Sequence, residues 1–129
     1  MNCINEVPTP ENFDAIIKYL PVLEDMSIYD NNRDEIEKNG SCDEILDLVK
    51  CLYYNNWLIN SRWQEWTSEA ELYFGKPELL NDAGIESLRR ILTVHVRIDR
   101  LFPGEIADLI KRGYLLCIIR RISSLKDSN

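Results

Sequence analysis

Residues 85–101 constrain the fold more than any other stretch of the chain. With Asp82 or Gly84 as its start and Pro103-Gly104 as its breaker, the segment carries Ile85, Leu88, Ile91, Leu92, Val96 and Ile98 on one broad arc at roughly 100° per residue. Arg89, Thr93, Arg97 and Arg100 fall on a narrow opposite stripe, with Arg90 at its edge. A segment so divided is an amphipathic helix, and its apolar arc needs other helices or a sheet to cover it.

The rest of the chain offers helices. Thr9-Pro10 predicts a capped start with proline in the first turn, followed by Phe13, Ile16, Ile17 and Leu20 at helical spacing, with Pro21 bending or ending the element. Residues 24–40 are acidic and carry the turn signals Asp30-Asn31-Asn32 and Asn39-Gly40, which predicts a long loop. Ser41 and Glu44 have capping-box spacing ahead of Ile45, Leu48, Val49 and Leu52, and Ser61 and Gln64 repeat it ahead of Trp63, Trp66, Ala70, Tyr73 and Phe74. A turn or short helix is expected at Pro77–Leu80, a short helix from Glu105 to Gly113, and a last apolar helix over Tyr114–Leu125. No stretch alternates as a strand does. The expectation is an all-α bundle of five to six helices in one domain, with a core over residues 11–125 and frayed ends at 1–8 and 126–129.

At 129 residues, 45% hydrophobic and 29% charged, the chain has the makeup of one ordinary globular domain. No apolar run approaches the roughly 20 residues of a membrane span, and Met1–Pro10 lacks a leader's basic and apolar regions. No membrane association and a cytoplasmic location are therefore expected. Cys3, Cys42, Cys51 and Cys117 form no Cys-x-x-Cys pair, and His95 is the one histidine. No metal site and no cofactor are expected from that set. Cys51 and Cys117 sit in apolar helical stretches and read as small core residues.

The net charge of −7 is uneven: residues 1–86 balance to −12 and residues 87–129 to +5. Such asymmetry marks an anion-binding surface or two halves that neutralise each other. Overall acidity argues against general nucleic-acid affinity. The apolar run Tyr114–Ile119 also makes a poor DNA-recognition helix.

Two candidate sites follow from helical phase. Outward, Arg89, Arg97 and Arg100 offer planar donor forks suited to carboxylate or phosphate; the plainer reading is a solvated face. Inward, His95 and Asp99 lie four residues apart within the apolar arc, where they can meet. A carboxylate there needs donors: His95, Arg120 or Arg121, a tryptophan indole, or the backbone N–H groups that open the helix after Gly104. Such a pair can transfer protons, but no nucleophile or metal-ligand set accompanies it, so it reads first as a structural network. The tryptophans Trp57, Trp63 and Trp66 read as core rather than as a stacking platform.

The run Leu92-Thr93-Val94-His95-Val96-Arg97-Ile98-Asp99-Arg100, with Gly104, Ile106-Ala107, Gly113 and Ile118-Ile119-Arg120-Arg121-Ile122, resembles a bacterial family of helical proteins classed as a domain of unknown function. That family's pattern is Leu-Thr, then Val/Ile-Arg-x-Asp-Arg-Phe, Gly-x-Leu-Ala, a further Gly, and a closing Arg-Arg-Leu. Leu20-Pro21-Val22-Leu23-Glu24 and the Trp63/Trp66 pair resemble it too, so the likeness spans roughly residues 11–125. Leu101 replaces the pattern's Phe, with Phe102 next, and Arg62 replaces an Asp common before the first Trp. The resemblance implies a small bacterial protein and points to Arg97, Asp99, Arg100 and Gly104. It implies no reaction or ligand.

The expected function is a non-catalytic binding or regulatory module that engages a protein, a second copy or an anionic ligand through its C-terminal third. The alternatives are an enzyme built on Asp99 with His95 or an arginine, and an acidic protein that competes with DNA for a basic partner.

Overall fold

The computed structural model describes residues 7–127, and Thr9 opens its first helix as a capping residue should. Its side chain accepts from the Asn12 N–H while the Asn12 side chain accepts from the Thr9 N–H, a reciprocal capping box. Helix α1 (Pro10–Ile17) is followed by α2 (Leu20–Glu24), which carries Pro21 in its first turn, then α3 (Ser27–Asp30), α4 (Arg33–Asn39) and α5 (Asp43–Tyr54). A 3₁₀ turn (Trp63–Trp66) leads into α6 (Thr67–Gly75), and a second (Pro77–Asp82) precedes α7 (Ile85–Leu101). Helices α8 (Glu105–Lys111) and α9 (Tyr114–Asp127) complete the order. Among the described residues there is no strand.

The structure is thus all-helical, with nine α-helices among the described residues where five to six were expected. The main reason is the acidic stretch 24–40, which folds as α3 and α4 rather than as a loop. Ile28, Tyr29 and Ile36 are buried there, and Asp34 and Glu35 sit in the first turn of α4, where the helix dipole favours negative charge. Gly40 closes α4 in the left-handed region at φ +81°. A Cβ at Gly40 would stand 2.9 Å from the Pro103 carbonyl carbon, so the end of α4 rests directly on the α7–α8 turn.

Two expected capping boxes do not form. Cys42, not Ser41, is the residue before α5, and the Ser41 hydroxyl is buried with no partner among the described residues. Glu44 instead accepts from the Asn32 side chain. At Ser61 the chain enters a 3₁₀ turn, so Trp63 and Trp66 are half-buried and do not continue the stripe of α6. Cys42 is buried, Cys51 half-buried and Cys117 exposed, which corrects the core placement of Cys117. Cys3 and most of the expected frayed ends lie outside the described residues, but Lys126 is helical and pairs with Asp14.

Helix α9 is the hub, packed on α1, α2, α7, α8 and the second 3₁₀ turn. Its Leu115, Ile118, Ile119 and Ile122 are fully buried, as are Ile16, Leu48, Leu52 and Leu88 elsewhere in the same core. Each such side chain contributes about 1.5–3 kcal/mol of transfer free energy. Among the described residues no helix is long and apolar enough to cross a membrane, and no group of three or more His, Cys, Asp or Glu could hold a metal.

Candidate functional site

The arginine stripe of α7 is not one solvated ridge. Its first half is roofed by the irregular segment after α5, whose backbone needs hydrogen-bond partners. Arg89, 2% exposed, donates through Nε to the Asn56 carbonyl at 2.9 Å and through a terminal nitrogen to Glu86, also at 2.9 Å. Thr93, 1% exposed, accepts the Ile59 N–H at 2.9 Å and donates to the Arg89 carbonyl. Buried backbone groups require such partners, and the polar stripe supplies them. Arg90 makes a two-pronged pair with Glu69 of α6 at 2.7 and 3.0 Å, which holds its guanidinium above the usual arginine range.

Only the second half of the stripe remains outward. Arg97 is half-buried and Arg100 exposed, and among the described residues neither has a hydrogen-bond or ion-pair partner. Leu101 is 62% exposed and Phe102 72% exposed. Positions 97, 100 and 101 share one helix face, so two guanidiniums and the Leu101 side chain lie together at the end of α7, and the exposed Phe102 follows where the helix stops.

Behind them, Asp99 holds the α7–α8 turn. Its Oδ1 accepts the N–H groups of Gly104 and Ile106, both at 3.1 Å, and Gly104 takes φ +119° to permit the turn. Of the donors expected for Asp99, the helix-opening N–H groups are the ones used. His95 is not: its Nδ1 lies 2.6 Å from Oε2 of Glu105, the first residue of α8. The expected His95–Asp99 pair is therefore replaced by two separate contacts across one turn. Arg120 pairs with Glu24 at 3.0 Å, and Arg121 donates to the Ala83 carbonyl at 2.9 Å. Trp57 is buried, donating its indole N–H to the Asn12 carbonyl. None of these is spent on Asp99.

Sequence reasoning missed Glu105, because no helical spacing relates it to His95 ten residues earlier. The available signal was the turn itself: if α8 starts against Asp99, its first side chain folds back toward the preceding turn of α7. It also missed the rings around His95. Phe74 lies 6.2 Å and Tyr114 5.8 Å from the imidazole, centroid to centroid. Burial raises the Tyr114 hydroxyl well above the usual phenol range, and that hydroxyl has no partner among the described residues.

The two charge-unequal halves meet at Arg89–Glu86, Arg90–Glu69, Arg120–Glu24 and Lys126–Asp14. Neutralisation is thus partial. Asp34, Glu35, Glu37, Asp43 and Asp47 stay exposed without an ion-pair partner among the described residues.

The chain belongs to the family of unknown function DUF6508, which it matches over residues 8–128. No curated protein and no solved structure matches it.

Proposed function

We propose that the chain is a non-catalytic module of the bacterial cytoplasm that binds an acidic, amphipathic segment of a partner protein at the end of α7. Arg97 and Arg100 would pair with its carboxylates, and Leu101 and Phe102 would anchor its apolar side chains. The observation that carries this reading is the coincidence, at the end of α7, of two guanidiniums without partners among the described residues and two large exposed apolar side chains.

Fully covering Leu101 or Phe102 is worth about 1.5–3 kcal/mol each, and arginine forks favour planar carboxylates. A free inorganic anion would use the arginines and leave Leu101 and Phe102 idle. Nucleic acid is disfavoured by the net charge of −7. Asp99 and Gly104 act as positioning residues, holding the turn from which Phe102 projects. The enzyme reading loses its motivating pair, because Asp99 is engaged in the turn and His95 turns to Glu105.

A fluorescent peptide alternating Glu with Leu and Phe is the probe, with a Lys-substituted version as control. The acidic peptide should bind and the basic one should not. Joint Arg97→Ala and Arg100→Ala should weaken binding roughly tenfold with little change in melting temperature. Equal binding of both peptides, no binding, or unchanged affinity in the variant would refute the reading. Reversible self-association abolished by the same variant would assign the surface to a second copy instead.

A further inference from the structure

Helices α6, α7 and α8 line an open cleft of 380 Å³. That volume lies in the range of small-molecule sites. Ala70 and Phe74 of α6, Val94 and Ile98 of α7, and Leu109 of α8 give it apolar walls. Into this wall α7 sets His95, which is 5% exposed.

The two nitrogens of that imidazole have unequal fates. Nδ1 faces Glu105 at 2.6 Å, while Nε2 is buried with no hydrogen-bond partner among the described residues. A buried polar atom left unpaired costs on the order of 1–3 kcal/mol, so a polar group that reaches Nε2 from the cleft would supply what the protein does not. In the tautomer that donates Nδ1–H to the carboxylate, Nε2 carries the ring's lone pair, which accepts an N–H or O–H.

Charge at the cleft narrows the ligand further. Glu71, Glu105 and Asp108 line it against one guanidinium, Arg112, whose Nε already donates to Asp108 at 2.7 Å. An anion would meet three carboxylates and a cation already engaged. The Phe74 ring favours a flat partner through edge or offset contact.

The geometry points to a binding site for a small neutral aromatic molecule carrying one N–H or O–H donor, of the phenol or indole type, with His95 Nε2 accepting the donor and Glu105 fixing the imidazole. None of Arg97, Arg100, Leu101 and Phe102 lines this cleft, and the site does not depend on the partner reading.

Because His95 is the one histidine of the chain, its ring nitrogens are assigned unambiguously in a long-range ¹H–¹⁵N spectrum. Titration of the full chain with phenol and with indole should move the Nε2 resonance saturably, in the direction of an accepted hydrogen bond. Toluene, which lacks a donor, should perturb the cleft methyls but not Nε2, and benzoate should do neither. Ala70→Leu, which fills the cleft, should weaken phenol binding at least about tenfold while the circular dichroism stays unchanged. An Nε2 resonance unmoved by phenol and indole up to their solubility overturns the site, as does a response to benzoate equal to that to phenol. If Ala70→Leu does not fold, the wild-type titration alone decides.

Discussion

Asp99 offers the sharpest test of how the α7–α8 turn is built. Its Oδ1 accepts two backbone N–H groups at 3.1 Å, from Gly104 and Ile106, and no side chain of Gly104 can cap α8 in its place. Asp99→Ala removes both bonds. At a net 0.5–1.5 kcal/mol each, and more where an N–H is left dry, the loss is about 2–3 kcal/mol, since Asp99 is half-buried and water reaches part of the gap. Asp99→Asn keeps an acceptor oxygen in place and forfeits only the charge facing the start of α8, about 0.3–1 kcal/mol. Urea denaturation separates the two, because a change in midpoint at constant slope reads stability alone. Ala should therefore cost at least twice what Asn costs. Equal losses would mean that charge, not hydrogen bonding, holds the turn, and a neutral Ala variant would refute the cap altogether.

Other outcomes follow from single contacts. Gly40→Ala should destabilise by about 1–3 kcal/mol, combining the left-handed backbone cost with a Cβ pressed to 2.9 Å from Pro103; a thermal melt unchanged within error would argue against the close approach. Arg89→Met, which keeps bulk but leaves the Asn56 carbonyl without its donor, should cost about 1–3 kcal/mol. Arg97→Met should stay within about 0.5 kcal/mol, and chemical denaturation of the pair would expose any reversal of that order. Tyr114→Phe removes a buried hydroxyl with no partner among the described residues and should leave stability level or raised by up to about 1 kcal/mol; a clear loss in calorimetry would reveal a bond to that oxygen.

The boundaries of α7, the breaker at Pro103-Gly104, the Thr9 start and the apolar faces of α1, α5 and α9 were all legible in the chain, because cap, glycine and proline chemistry act within a few residues. The helical state of residues 24–40 was not. Its apolar positions, Ile28, Tyr29 and Ile36, are too few to mark a period, and only their burial against the body makes the short helices worth forming. The failed caps at Ser41 and Ser61 share a cause: a capping sequence states an option, and packing of the neighbouring segment decides whether the backbone there begins a helix.

Helical phase likewise determined that Arg89, Thr93, Arg97 and Arg100 share a stripe and that His95 and Asp99 share the opposite arc. It did not determine what meets either face. Segment 56–59 lies over the first half of the stripe because its carbonyl and N–H groups find Arg89 and Thr93 there, and that leaves Arg97 and Arg100 as the outward remainder. The turn at Gly104 brings Glu105 back to His95 and sends Asp99 to the start of α8. Local spacing along one helix determines which side chains share a face. Which partner each acquires depends on contacts between residues distant in sequence, and those exist only once the helices have packed.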